Sequence, residues 1–240
     1  MATPALRYLG RKEPVNVFFA DKNIQKLYKK CPFIKIIQDE PSNKPFATTS
    51  TGKKYRTLRE TDSESLFRVV VGDVSLMEQT YVDYEITKKI EKDKNKKYVA
   101  IFHGCLGEIY RYQKDIGSKT RQYMINAVLA KGWVPVILGS QRDAKIYWAK
   151  NKTKHCLNFL GKLSLKDSVS ILGQCDLFMS NDTGLYHIAG ALDMTGLVLW
   201  KQTDVVRSRS TCSNISHARD RKGQFSIYKR YIDGFLNQIK

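Results

Sequence analysis

The run Ser180-Asn-Asp-Thr-Gly-Leu-Tyr-His-Ile-Ala-Gly-Ala-Leu192 gathers residue types that hold an anion. Asp182 and Thr183 are side chains that cap a helix start, and Gly184 lets the backbone approach a ligand closely. The unbonded amides of a helix N-terminus, with the helix dipole behind them, suit a diphosphate. His187 falls one turn into such a helix, where its ring can face the same anion. The pattern predicts a pyrophosphate cradle. An ordinary capped helix carrying a core histidine has the same spacing, and spacing alone leaves that alternative open. Asp-Thr-Gly also occurs in aspartic proteases, but there in an all-β setting, and the helix-forming continuation here argues against it. No Gly-x-Gly-x-x-Gly follows any strand, which disfavours a dinucleotide-dependent dehydrogenase.

The elements that must position this run are legible from residue 97 onward. Tyr98–Phe102 reads as a short strand ending at His103-Gly104, followed by a helix from about Lys119 to Ala130 closed by Gly132. Val134–Leu138 is a second strand, Asp143–Lys150 a polar helix, and Leu157–Leu160 a short strand. Ser164 opens the next helix, with Lys166 and Asp167 in its first turn. Asp176–Met179 is a strand, Leu185–Leu192 a helix, and Gly196–Trp200 is expected to be the last strand. Strands alternating with helices of this length need crossover connections, which give a parallel sheet covered on both faces. Ligands of such sheets bind beyond the carboxyl ends of the strands.

The first 96 residues are less regular. Val15–Phe19, Ile34–Ile37 and Phe67–Val71 read as strands, with a helix near Asn23–Lys30, and residues 39–64 as a long loop. Six lysines between Lys88 and Lys97 suggest a hinge, and the tail Phe225–Ile239 has helical apolar spacing. The expected organisation is a reduced N-terminal acceptor-side lobe over 1–90, a hinge at 91–97, a binding lobe over 98–224 and a terminal helix over 225–240.

The 240 residues carry 41 basic and 23 acidic side chains, a net charge of +18. An excess of this size points to a polyanionic partner, either nucleic acid, anionic lipid or a phosphorylated glycan, with a solvated lysine-rich surface as the alternative. Five scattered cysteines form no CxxC pair; Cys105, Cys156 and Cys175 sit in or beside apolar runs and read as small buried hydrophobes. The sequence holds no apolar signal core and no run long enough for a membrane span. These features give the expectation of a reduced, cytoplasmic protein.

Ser180–Leu192 resembles the Asp-Thr-Gly-Leu-x-His-x-x-x-Ala-Leu signature of glycosyltransferase family 9, the lipopolysaccharide heptosyltransferases. Leu160–Leu165, Ile171–Leu177, Gly196–Trp200 and Thr203-Asp204 resemble the segments around it, so the resemblance covers residues 98–207. It implies an α/β GT-B fold of two Rossmann-like lobes with parallel sheets, the N-terminal lobe reduced here. It also implies a nucleotide-diphosphate sugar (ADP-, UDP- or GDP-linked) as donor, no cofactor and no metal. Consistently, no Asp-x-Asp pair is present. By resemblance, the amides of Thr183, Gly184 and Leu185 hold the diphosphate, with Asp182 among the donor-site residues. His187 sits beside phosphate and sugar, Lys162 and Leu163 face the nucleoside, and Lys114 matches a phosphate-binding lysine. The Trp-Pro that usually follows that lysine is replaced by Ile116-Gly117, and the family's His-Pro-Gly is reduced to His103-Gly104-Cys105.

Ala2–Arg7 followed by Val15–Phe19 resembles the passage just after a Gly-Asp turn whose aspartate is the family's proposed base. That turn has no counterpart in the sequence, so His187, Glu108 and Asp115 are the candidate replacements, His187 first. The resulting expectation is a metal-independent, inverting transfer of a sugar to an anionic acceptor. By family default the acceptor is a lipopolysaccharide core saccharide at the inner membrane face, with no transmembrane segment. DNA with hydroxymethylated bases is a second acceptor class, since backbone phosphates also favour a basic protein. A non-catalytic nucleotide-sugar-binding or nucleic-acid-binding remnant is a third reading.

Overall fold

The structure is a computed structural model that describes residues 11, 14–18, 22–37, 82–104, 112–210 and 212–239. The expected strand Phe67–Val71, the loop over 39–64, Cys105 and Glu108 lie outside the described residues. The chain divides into two units, one of residues 1–85 and 206–211, the other of residues 86–205 and 212–240.

The larger unit is a six-stranded sheet, every neighbouring pair parallel. Its strands are β3 (Tyr98–Phe102), β4 (Val134–Leu138), β5 (Leu157–Asn158), β6 (Leu177–Asn181), β7 (Gly196–Trp200) and β8 (Ile215–Arg219), in the order β5-β4-β3-β6-β7-β8. The chain winds outward from β3 to β5, then returns to the other side of β3 as β6. Between the strands run α2 (Ser118–Ala130), the single turn α3 (Gln141–Asp143), α4 (Leu165–Leu172), α5 (Gly184–Ala191) and the short α6 (Val205–Ser208); α7 (Phe225–Gln238) follows β8.

Strands covered on both faces are buried throughout, as β3, β6 and β7 are, and are apolar except for Ser180 and Asn181 at the carboxyl end of β6. Alternate residues serve two separate cores. On one face Val99, Ile101, Ile137, Met179 and Leu199 meet Met124, Ile125 and Val128 of α2 and Tyr228, Ile232 and Leu236 of α7. On the other, Ala100, Phe102, Leu138, Phe178, Val198 and Trp200 meet Ile171 and Leu172 of α4 and Tyr186 and Ala189 of α5. Each such aliphatic side chain contributes roughly 1.5–3 kcal/mol on burial. The buried positions of α2, which are Thr120, Arg121, Met124, Ile125 and Val128, form one helical stripe with an arginine inside it.

Two expectations need correction. Gly196–Trp200 is not the last strand, because Ile215–Arg219 extends the sheet as β8. The polar helix expected over Asp143–Lys150 is instead the turn α3 followed by a π-helix, Ala144–Trp148, whose Tyr147 and Trp148 are buried. The lysine-rich stretch is fastened to α4. The Thr87 and Lys88 amides both donate to Ser170 Oγ (3.0 and 3.1 Å), and the Ile90 amide donates to Gln174 Oε1 at 3.2 Å. Gln174 Nε2 donates to the Lys88 carbonyl at 2.7 Å, and Lys92 reaches Asp176 at 3.0 Å.

The smaller unit contains β1 (Val15–Phe18), α1 (Lys22–Lys26) and β2 (Ile34–Ile37), with β1 and β2 parallel and Val15 level with Ile34. Cys31, Phe33 and Ile34 form its core, with Val17, Tyr28 and Ile36 packed against them.

Candidate functional site

The sheet reverses its winding between β3 and β6, and a crevice at such a point is where open α/β sheets hold ligands. Phe102 is level with Ser180, so the chain leaves both strands at the same height, as His103-Gly104 on one side and Asp182-Thr183 on the other. Asn181 joins the two sides. It is fully buried, its Oδ1 accepts from the Gly104 amide at 3.2 Å, and its Nδ2 donates to the carbonyls of Gly104 and Lys114, both at 3.0 Å. Gly104 tolerates no side chain, since a Cβ there would stand 2.3 Å from Asp143 Oδ1. That carboxylate is itself fixed by a capping box with Ser140.

The α5 N-terminus opens into this crevice. Thr183 is the N-cap in extended conformation, and its side chain makes no capping bond. Asp182 does not cap either: its carboxylate pairs with Lys114 Nζ at 2.8 Å while only 5% exposed. The expectation that both residues cap through their side chains is therefore corrected; an ammonium 2.8 Å away holds the carboxylate more strongly than an amide would. Gly184 is exposed, and a Cβ placed on it meets nothing within 4 Å, so the backbone at the start of α5 is open to close approach. Leu185 is half-buried, packed against the α4–α5 core.

His187 is half-buried one turn into α5, its ring 4.4 Å from that of Tyr186. Burial lowers its pKa from 6.5 to about 4, with the Lys114 ammonium acting in the same direction and Asp182 against it. It is neutral at physiological pH, able to hydrogen-bond but weak as a base.

Lys114 is held from behind by a network that sequence reasoning missed. The Asp115 carboxylate accepts from Arg121 Nη1 at 2.6 Å and from the Gly117 amide at 2.8 Å. Burial would raise its pKa, but His103, the Gly117 amide and Arg121 outweigh that and hold it below the ordinary value. An aspartate so engaged is an anchor, and its lowered pKa makes it a weak base. Arg121 Nη2 donates to the Tyr147 carbonyl of the π-helix at 2.6 Å. His103 Nε2 accepts from the Ile116 amide at 3.3 Å, and burial keeps this imidazole neutral.

The remaining predicted residues lie further along the same sheet end. Lys162 Nζ donates to the Asn158 carbonyl at 2.9 Å, and Leu163 packs at the edge of the α4–α5 core. The structure thus brings Lys114, Asp182, Thr183, Gly184, Leu185 and His187 to one place, with Lys162 and Leu163 after β5. Among the described residues, no three His, Cys, Asp or Glu side chains converge as a metal site, and no helix is long and apolar enough to cross a membrane.

The sequence profile of glycosyltransferase family 9 (heptosyltransferase) matches residues 69–228. The chain belongs to this family. Among curated relatives of the family 9 chain, lipooligosaccharide heptosyltransferase 2 of Haemophilus ducreyi is 31% identical over 116 residues, 45% of this chain and 32% of that protein. The match thus spans about a third of that relative's length. Among solved structures, the iron-containing dodecameric glycosyltransferase TibC of enterotoxigenic E. coli superposes with a TM-score of 0.68 at 15% identity, covering 99% of this chain and 70% of TibC. E. coli heptosyltransferase WaaC with ADP gives 0.54 at 18% identity, covering 76% of this chain and 57% of WaaC. The expected α/β, GT-B-like fold class is the fold of these structures.

Proposed function

We propose that the family 9 chain is a glycosyltransferase whose donor is an ADP-linked sugar of the heptose class and whose acceptor is a saccharide of the lipopolysaccharide core. The observation that carries this reading is the α5 N-terminus at the β3/β6 reversal, with Gly184 facing open space and Lys114 beside it. Two amides of a helix start and an ammonium offer the diphosphate the positive charge that a metal supplies in other sugar transfers. Adenine as the base is supported by the ADP bound in WaaC. The heptose is supported by the relative from Haemophilus ducreyi.

In the proposed reaction an acceptor hydroxyl oxygen attacks the anomeric carbon from the face opposite the diphosphate. The bond from that carbon to the β-phosphate oxygen breaks, and ADP leaves with the electron pair, so the configuration inverts. Lys114 and the α5 amides stabilise the charge that develops on the leaving oxygen. The hydroxyl proton passes to a base, for which His187 is the candidate within α5, its weakness placing most of the catalysis on leaving-group stabilisation. The net charge of +18 favours an anionic acceptor at the inner membrane face.

Calorimetric titration with ADP, UDP and GDP tests the donor site. Micromolar binding of ADP, lost in Gly184→Trp, is the expected result; a Cβ at 184 meets nothing within 4 Å, and circular dichroism checks that the variant folds. Absence of nucleotide binding, or a variant that binds like the parent, refutes the site. Transfer measured on heptose-acceptor glycans, with chelator present and the product anomer read by NMR, tests metal independence and inversion. Salt-dependent binding of duplex DNA with no glycan transfer would move the acceptor assignment to DNA.

A further inference from the structure

The lysine beside the diphosphate position ends a short helical turn at residues 112–114, and the chain from Lys114 on is fixed at three consecutive residues by three different elements. The Lys114 carbonyl accepts from Asn181 at the end of β6. The Asp115 carboxylate is held by Arg121 of α2. The Ile116 amide donates to His103 at the end of β3, and the Ile116 side chain is 2% exposed. Two further bonds close the circuit. Arg121 reaches the Tyr147 carbonyl in the π-helix, and the next residue, Trp148, donates its indole N–H to the His103 carbonyl at 3.3 Å.

Arg121 is 3% exposed, and a guanidinium is tolerated there only with its charge matched. Asp115 supplies the charge. The π-helix supplies the second acceptor, and the rings of Tyr147 and Trp148 lie 5.7 and 5.9 Å from the guanidinium carbon. Pairing Arg121 inside the fold in this way holds Asp115 at one spot. Two residues later comes Gly117 at φ +84°, a backbone that offers no stiffness of its own. A lysine side chain is long and flexible, so the place of its ammonium depends on where its backbone is fixed.

We infer that Asp115 and Arg121 are positioning residues of the donor site: with His103 they fix the backbone from which the Lys114 ammonium reaches the diphosphate. They act through Lys114 and touch no part of the donor. This inference rests on the donor-site reading above and makes a separate claim about how the site is held.

The test is a double-mutant cycle in the full chain, with ADP affinity measured by calorimetry and unfolding followed by circular dichroism. Asp115→Ala and Arg121→Lys are each made in the wild-type and Lys114→Met backgrounds. A lysine at 121 can pair with Asp115 but cannot fork to the Tyr147 carbonyl as well, so it is the milder variant and keeps the test alive if Asp115→Ala does not fold. The expected result is about a tenfold loss of ADP affinity from Asp115→Ala, and a smaller loss from Arg121→Lys, when Lys114 is present. In the Lys114→Met background both losses should shrink to less than about twofold, while the melting temperature falls equally in both backgrounds. Asp115→Asn, which still accepts from Gly117 and Arg121 but supplies no charge, should lose less affinity than Asp115→Ala. Equal affinity losses with and without the lysine, or no loss from either substitution, would overturn the inference while leaving the donor site standing. A wild-type chain that fails to bind ADP, or a Lys114→Met chain that binds it undiminished, would remove both.

Discussion

Replacing Asn181 with alanine should be the most damaging single change at this end of the sheet. The side chain is fully buried and makes three hydrogen bonds, one received from the Gly104 amide and two given to the carbonyls of Gly104 and Lys114. Each contributes a net of about 1 kcal/mol, and the backbone groups left without partners inside the protein raise the cost, so a loss of about 3–5 kcal/mol follows. In a unit of this size, 1 kcal/mol moves the melting temperature by roughly 2–4 °C, which gives a drop of about 6–20 °C. Asn181→Asp separates bonding from volume. It keeps the acceptor for Gly104 but sets an oxygen against two carbonyls, so its defect should ease at low pH, where the carboxyl regains a proton to donate. Urea unfolding at pH 7 and pH 5 measures both variants. A cost below about 1 kcal/mol for Asn181→Ala would mean that the two sides of the crevice are held together by something other than this side chain.

Two further outcomes follow from burial. His187 is held at about 4 against an ordinary 6.5, so between those values the unfolded chain binds a proton that the folded chain does not. Stability should be full above pH 6.5 and fall as the pH drops toward 4, by at most about 3 kcal/mol from this group. Urea titrations across that window should show His187→Gln with a shallower decline than the parent, and an unchanged slope would contradict the burial argument. At the start of β7, a Cβ on Gly196 would stand 2.2 Å from Cε1 of Phe178. Gly196→Ala should therefore cost about 1–3 kcal/mol, and Phe178→Leu in the same chain should recover part of it. Additive losses in the double variant would count against direct contact.

The parts of this fold that were legible were those whose physics is local. Tyr98–Phe102 and Gly196–Trp200 are five-residue apolar runs because helices cover both faces of the sheet, and no other reading of such runs fits their length. Ile215–Arg219 escaped because it is the edge strand: Ser216 is exposed, His217 and Arg219 are half-buried, and the run looks polar. Over 143–150 the helical period was read correctly, but nothing in the sequence announces the wider π turn. The strand, turn and helix that carry Asp182, Gly184 and His187 were legible because these residues fall within a few positions of one another. Asn181 beside them was passed over because an asparagine after a strand ordinarily serves a turn. The His103, Asp115, Arg121 and Tyr147 network was not legible because its members come from four separate elements. Each alone has the character of a surface residue, and only the fold brings them together.

The bonds from Ser170 and Gln174 to residues 87–90 bear on how this family can be recombined. A chimera that joined a foreign N-terminal half at Tyr98 would leave Ser170 and Gln174 facing water and would remove the lysine that meets Asp176. A junction at Glu85 keeps the segment with the helix it was selected to fit. The transferable cassette therefore begins a dozen residues before its first strand, and Thr87 belongs to it as firmly as the sheet does.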